Sequence, residues 1–171
     1  MSELGLDALN QLPEAAAREA LMRCCGAQRW ATTLTASRPF ASMASLLVQA
    51  DRVWAEMERA DLLEAFSHHP RIGADINKLR AKFAATKSWS GEEQGAVASA
   101  SEETLIALRD GNVRYEEVFG HIFIVCATGK SAEEMLGLLN ARIDNTPDEE
   151  LAIAAGEQAK ITTIRLRKLV Q

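Results

Sequence analysis

The amino-acid sequence predicts an all-α fold, a compact bundle of about eight helices that forms a single domain over residues 1–171. Its length of 171 residues is usual for one domain. Only 10 Gly and 4 Pro are present, about 8% against a usual share of roughly 12%, so turns and hairpins are few. From residue 43 to residue 57, apolar residues recur at steps of three and four, which is typical of an amphipathic helix.

Local signals place the first helices along the chain. Leu12-Pro13-Glu14 begins a helix that runs through Met22 and ends by Gly26, because Pro at a first helical position loses no bonded N–H and Glu favours the positive end. A short segment over residues 27–37 ends at Arg38-Pro39. After the amphipathic helix, residues 61–66 predict another short helix.

The next helices are separated by glycines. Residues 75–87 predict a helix. Ser90 with Glu93 three residues later has the spacing of a capping box and begins a helix that runs to Asp110, where Gly111 ends it. Residues 112–119 then predict a further helix.

The last third of the chain contains one ambiguous segment and two helices. The apolar run 122–127 fits a buried strand or a buried helix by its periodicity. We favour a helix because the chain offers no second strand for it to pair with. Ser131 caps a helix that runs to Ile143, and Thr146 begins the final helix, which has one apolar face.

Composition excludes several classes of protein. A net charge of −5 argues against a broad nucleic-acid-binding surface, and no stretch reaches the ~20 apolar residues that a membrane span needs. The N-terminal residues lack the pattern of a signal peptide. The three Cys include two neighbours and one in an apolar run, so neither a disulfide framework nor a zinc motif is present. We expect a cytoplasmic protein.

Three side chains are candidates for chemistry. His69 lies in the irregular segment His68-His69-Pro70, where a stiff backbone would hold an imidazole suited to proton transfer, although a loop histidine that caps a helix end would look the same. Glu93 is better explained by its capping box than by chemistry, because a Glu at that position bonds the N-cap backbone. Arg165 is explained by its place near a helix C-terminus, where cations are favoured. His121 precedes an apolar run and Cys126 lies within it, so both are expected in the core.

Several motifs, taken in order, carry a resemblance to a known family. They are His69-Pro70-Arg71-Ile72-Gly73, Ser90-x-x-Glu93-Gln94, Asn112-x-x-Tyr115-x-x-x-Phe119-Gly120, Phe123-Ile124-Val125-Cys126-Ala127, Arg142-x-x-Asn145 followed by Glu150, and Ile164-Arg165-Leu166. Their order and spacing over residues 9–169 resemble those of the 2-oxo-4-hydroxy-4-carboxy-5-ureidoimidazoline (OHCU) decarboxylases of urate breakdown. The chain departs from that pattern at Ile122, where many members have Pro, and at Thr128, where many have Arg.

The resemblance implies an activity and a set of partners. It implies an all-α homodimer without metal or organic cofactor, a carboxy-lyase that converts OHCU to (S)-allantoin and carbon dioxide in purine breakdown. The expected partners are therefore the small-molecule substrate and a second copy of the chain, with no nucleic acid and no membrane.

The resemblance also implies a site. His69, Glu93 and Arg165 are the expected catalytic residues, with Arg165 meeting the anionic substrate. The other expected substrate-binding positions are Pro70, Ser90, Gly91, Glu92, Gln94, Phe123, Ile124, Val125, Cys126 and Ala127. Carbon dioxide loss leaves charge that the ring delocalises, and a proton delivered to one face by His69 would make one enantiomer. Two alternatives stay open: a non-catalytic helical interaction module, and a small metal-dependent hydrolase using His68, His69 and His121.

Overall fold

A computed structural model of the chain describes residues 4–71, 75–89 and 101–171, without the side chains of residue 82 and residues 84–89. These ranges contain nine helices and no strand, which confirms the all-α prediction. The helices are α1 (Leu6–Gln11), α2 (Glu14–Met22), α3 (Gln28–Ala36), α4 (Met43–Ala55), α5 (Arg59–Ser67), α6 (Ile76–Trp89), α7 (Glu102–Phe119), α8 (Ala132–Arg142) and α9 (Pro147–Leu169). Within the same ranges, no helix combines the length and apolar character needed to cross a bilayer.

The chain divides into two compact units. The first unit comprises Met1–His69 and Ala155–Gln171, and the second comprises Pro70–Ala154. The boundary near the C-terminus falls within the residues of α9. That the two units form a single domain stays a prediction.

The first unit is built around α3, which packs against α2, α4 and α5. Trp30 of α3 is fully buried, and its indole N–H donates a 3.1 Å hydrogen bond to the Ala50 carbonyl of α4. A buried Trp needs a partner for this N–H, so the bond fixes α3 against α4. Trp54 binds the Ala155 carbonyl of α9 in the same way at 3.0 Å. Leu166 and Leu169 of α9 complete this core.

The second unit is built around α7, which packs against α6 and α8. The expectation that Gly111 ends a helix is wrong, because α7 continues through it. A Cβ at Gly111 would lie 3.0 Å from Cδ2 of Leu139 on α8. The glycine therefore permits close packing of two helices rather than a turn.

The start of α7 also differs from the expectation. A single helix from Ser90 to Asp110 is wrong, since Ser101 is extended and its hydroxyl caps the new helix by accepting the Thr104 N–H at 3.1 Å. The predicted cap at Ser90 lies outside the described residues.

Two other predicted helix starts are confirmed. The Ser131 hydroxyl accepts the Glu134 N–H at the start of α8. At the start of α9, Thr146 and Glu149 form a reciprocal pair, in which each backbone N–H donates to the other's side chain. These bonds hold the pKa of the Glu149 carboxyl below its usual value. Both motifs depend only on neighbours in sequence, which is why the sequence predicts them.

The expectation of a helix over residues 122–127 is wrong, because this segment is irregular. Side chains supply hydrogen bonds that a helix would otherwise provide: Arg142 Nη1 donates to the Ile124 carbonyl at 2.8 Å, and Lys130 Nζ donates to the Cys126 carbonyl at 2.6 Å. Buried carbonyls need a donor but not a regular element. The segment is thus stabilised without either a helix or a partner strand.

Candidate active site

The end of α5 positions His69. Its backbone N–H donates to the Phe66 carbonyl at 3.1 Å, and that of His68 donates to the Ala65 carbonyl at 3.2 Å. Pro70 follows and has no N–H with which to extend the helix. The imidazole of His69 is therefore attached to a backbone fixed by the last turn of α5, as the sequence predicts.

His69 lines a cavity of about 430 Å³ in the first unit. The cavity is lined by Glu19, Met22, Arg23, Gly26, Ala65, His68, His69 and Arg165. Two of the three residues expected to be catalytic, His69 and Arg165, thus face the same space although 96 positions separate them in the sequence. Two guanidinium groups and one carboxylate give the lining an excess of positive charge, which suits an anionic ligand.

A side-chain amide holds the imidazole of His69. Its Nε2 lies 2.5 Å from Oε1 of Gln158, a fully buried residue of α9. The amide nitrogen of Gln158 donates to the Thr162 hydroxyl one turn further along α9, at 3.0 Å. Because this second bond places the amide nitrogen on Thr162, the amide oxygen faces the ring and accepts its N–H.

The surroundings of His69 lower its pKa below the ordinary value of 6.5. Burial is the largest cause because it disfavours the charged imidazolium, and the nearby charges of Arg165 and His68 act in the same direction. The hydrogen bond to Gln158 opposes this shift. His69 is therefore predominantly neutral at pH 7 and can accept a proton.

One face of α9 supplies several groups around His69. Gln158, Thr162 and Arg165 are spaced by four and then three residues, so successive turns of the helix place them on one side. The same helix consequently fixes the hydrogen-bond partner of the imidazole and contributes a cation to the cavity.

His68 is positioned by the absence of a side chain at residue 26. A Cβ at Gly26 would lie 2.4 Å from Cγ of His68, closer than carbon atoms approach. The imidazole of His68 therefore packs directly on the Gly26 backbone. This contact assigns to His68 a packing role that its sequence position alone did not indicate.

The described part of the chain does not place the other predicted site residues at this cavity. Ser90, Gly91, Glu92, Glu93 and Gln94 lie outside the described residues. The convergence of Glu93 with His69 and Arg165 thus stays a prediction. Pro70 and Phe123–Ala127 belong to the second unit, and their contribution to a substrate site stays a prediction as well.

A buried ionic network stabilises Phe123–Ala127 within the second unit. Glu150 is fully buried and accepts hydrogen bonds from Arg142 Nε at 2.7 Å, Tyr115 Oη at 2.5 Å and Asn145 Nδ2 at 3.1 Å. Arg142 forms the ion pair with Glu150 and also binds the Ile124 carbonyl. Burial and Glu150 raise the pKa of Tyr115, so its hydroxyl stays a donor.

This network explains part of the family resemblance in physical terms. Its members include the quoted positions Tyr115, Arg142, Asn145 and Glu150. The guanidinium of Arg142 also lies 4.5 Å from the centre of the Phe123 ring, within the range of a cation–π contact. Through Arg142, these motif residues hold the backbone at Ile124.

Gln158, Glu19 and Arg23 lie at the site, although no motif in the sequence predicts them there. The available signal for Gln158 was a polar residue among the small and apolar residues of one helix face. Its partner His69 lies 89 residues away in the chain, so the pairing itself had no local signal.

Within the described ranges, no group of three or more His, Cys, Asp or Glu side chains is arranged to share a metal ion. His121 is buried, and its Nδ1 lies 3.0 Å from the Ile122 carbonyl. Cys126 is also buried, so both residues lie in the core, as the sequence predicts.

The fold and cavity define a class of protein: an all-α protein with a small, positively charged cavity that is lined by a histidine held by a buried amide. The family model of OHCU decarboxylase matches residues 10–167. The chain therefore belongs to the OHCU decarboxylase family.

Individual relatives agree with this assignment. The chain is 40% identical over 146 residues to the uric acid degradation bifunctional protein TTL of Arabidopsis thaliana, a match that covers 85% of this chain and 45% of the relative. It is 38% identical over 60 residues to the OHCU decarboxylase of Amia calva, covering 35% of this chain and 34% of that protein. The matches thus span less than half the length of either curated relative.

Solved structures share the fold. A crystal structure of OHCU decarboxylase in the presence of (S)-allantoin matches with a TM-score of 0.71 and 37% identity, over 90% of this chain and 97% of that one. A crystal structure of (S)-allantoin synthase matches with a TM-score of 0.72 over 98% of this chain and 54% of the other. At 17% identity the second match supports the fold alone.

Proposed function

We propose that the chain decarboxylates OHCU to (S)-allantoin and carbon dioxide, without a metal or organic cofactor. The observation that carries the proposal is the cavity shared by His69 and Arg165. The family of the chain and its similarity to a structure studied with (S)-allantoin support the same substrate class.

The two residues have different roles in this proposal. Arg165 is a planar cation and pairs with the carboxylate of the substrate, an arrangement that favours two parallel hydrogen bonds. His69 is neutral near pH 7 and transfers the proton. Because the protein holds the imidazole of His69 on one side of the substrate, the proton reaches one face of the intermediate, and one enantiomer forms.

The backbone of Phe123–Ala127 is proposed to bind the ring of the substrate. Backbone N–H groups of this segment would stabilise negative charge as carbon dioxide leaves. The side-chain hydrogen bonds from Arg142 and Lys130 occupy carbonyls of the segment, which supports a fixed backbone geometry there.

The direct test is a chiroptical assay. OHCU is generated freshly from urate with urate oxidase and the next hydrolase, the chain is added, and the optical activity of allantoin is followed. The wild-type chain should accumulate (S)-allantoin, and His69→Asn should lower the rate by roughly 10²–10⁴-fold, the usual contribution of an acid–base group.

A matched control is His121→Asn, which replaces a histidine in the other unit. It should retain the stereochemistry, because His121 is not among the residues that line the cavity of His69 and Arg165. Racemic allantoin formed at the spontaneous rate with the wild-type chain would refute the function. Production of one enantiomer at a normal rate by His69→Asn would refute the role of His69.

Glu93 is proposed as a third catalytic residue that orients His69 or binds the ureido group. Glu93→Gln distinguishes this role from helix capping. A purely capping role predicts a loss of stability of about 1 kcal/mol with little loss of turnover, whereas a catalytic role predicts a lower kcat at unchanged helical circular dichroism.

We further propose that the two compact units act as one domain in a cytoplasmic homodimer. The three cysteines, all within the described residues, form no disulfide, which agrees with a reducing compartment. Light scattering after size exclusion should give twice the mass of 18.7 kDa, and calorimetry should show one cooperative unfolding transition. A monomer or two separate transitions would contradict these statements.

A further inference from the structure

We propose that Gln158 is a positioning residue that holds His69 in the tautomer protonated at Nε2, so that Nδ1 is the ring atom that exchanges a proton with the substrate. This inference rests on the proposed function, because it concerns the proton that His69 transfers. It adds a residue of α9 that acts through His69 and needs no contact with substrate.

The first argument is the full burial of Gln158. A buried amide is expected to satisfy both its oxygen and its nitrogen. The oxygen faces His69 Nε2 at 2.5 Å and the nitrogen faces Thr162 Oγ1 at 3.0 Å. Both ends of the amide are therefore occupied by single, defined partners.

The second argument is the direction of the hydrogen bonds. The Gln158 amide nitrogen can only donate, and it lies 3.0 Å from the Thr162 hydroxyl oxygen, which accepts from it. The amide oxygen then remains for His69, and because it can only accept, Nε2 must carry the hydrogen.

The third argument concerns the other ring nitrogen. Within the described part of the chain, Nδ1 of His69 makes no hydrogen bond. In a neutral imidazole protonated at Nε2, Nδ1 carries the lone pair. It is thus the atom that can accept a proton and return it.

An amide suits this position better than a carboxylate. The ionisable groups that line the cavity around the ring are Glu19, Arg23, His68 and Arg165. An amide oxygen accepts from both imidazole and imidazolium, and although it favours the cation to some extent, it adds no charge. A carboxylate there would stabilise the imidazolium more strongly and so raise the pKa of His69 further.

The test combines NMR of ¹⁵N-labelled histidine with kinetics in the full-length chain. The variants are Gln158→Leu, Gln158→Glu and Thr162→Val. Thr35→Val is the matched control, since Thr35 is another buried helical threonine of the first unit, and its hydroxyl donates to Ala31 in its own helix. Circular dichroism establishes that each variant is folded.

The expected results separate positioning from general destabilisation. In the wild type, the ¹⁵N shifts of His69 should show hydrogen on Nε2. Gln158→Leu should give a mixture of tautomers and lower kcat by roughly 10²-fold, the effect of misplacing a catalytic group, with little change in KM. Gln158→Glu should keep the tautomer and raise the pKa of His69, and Thr162→Val should give an intermediate loss. Thr35→Val should change stability only.

Two results would overturn the inference: a wild-type His69 protonated at Nδ1, or an unchanged tautomer and kcat in Gln158→Leu. If Gln158→Leu does not fold, the wild-type spectrum and Thr162→Val still decide the question. The tautomer is measured without substrate. A wild-type chain that makes no (S)-allantoin therefore refutes the proposed function alone and leaves the positioning result to be judged separately.

Discussion

Replacing Gly26 by alanine tests how the chain positions His68 and, through it, His69. The new Cβ would lie 2.4 Å from Cγ of His68, and 2.7 Å from its Cβ and Cδ2. The backbone at Gly26 is not in the left-handed region, so alanine is acceptable there in conformation. Any effect of the substitution therefore comes from steric overlap with His68.

The size of the effect follows from these distances. Non-bonded carbon atoms prefer separations of about 3.5–4.0 Å, so the imidazole of His68 must move by about 1 Å. Overpacking of this kind costs about 1–3 kcal/mol of stability. Because His69 is the next residue, its ring moves with that backbone, and a displacement of about 1 Å costs roughly 10²-fold in rate.

The assay is urea denaturation together with the chiroptical rate measurement. Gly137→Ala on α8 is the matched control, since no described atom beyond its chain neighbours and the nearby backbone of its own helix lies within 4 Å of the new Cβ, and helical Gly→Ala stabilises by up to about 1 kcal/mol. Adding His68→Gly to Gly26→Ala removes all three overlapping atoms, so alanine should be nearly neutral in that background. A Gly26→Ala variant with wild-type stability and rate would refute the reasoning.

Three further predictions concern pH, the buried network and metals. The pKa of His69 is below 6.5 in the folded chain, so the unfolded chain binds the proton more readily. The free energy of unfolding should therefore fall as pH drops below about 6.5. Urea titrations should show a smaller fall in His69→Asn. Arg142→Leu leaves the Glu150 carboxylate buried without its cation and should cost about 3–5 kcal/mol in the same measurement, whereas a change below 1 kcal/mol would contradict the network. Prior dialysis against EDTA should leave the rate of (S)-allantoin formation unchanged, and a loss restored by a divalent cation would favour the metal-dependent alternative.

The features that the sequence predicts correctly are those with local causes. The caps at Ser131 and Thr146 depend on side chains three residues away. The amphipathic pattern of α4 depends on periodicity within one helix. His69 follows the end of α5, and Pro70 limits its backbone directly. These parts of the fold and site needed no knowledge of distant contacts.

The features that it misses depend on residues far apart in the chain. The segment 122–127 is irregular because Arg142 binds the Ile124 carbonyl from 18 residues away. Gly111 lies within α7, where the absence of a side chain leaves room for Leu139 of α8. Gln158 reaches His69 only when α5 and α9 pack within the first unit. No periodicity or motif in the sequence encodes these pairings.

We propose that His69 and Arg165 bind one molecule in the same cavity. A titration of the ¹⁵N-labelled wild-type chain with (S)-allantoin, observing the His69 ring nitrogens and Arg165 Nε in one series of spectra, tests it directly. Both sets of signals should move along one saturation curve with a single dissociation constant. If the signals of one residue shift to saturation while those of the other do not change, the two residues do not bind the same molecule.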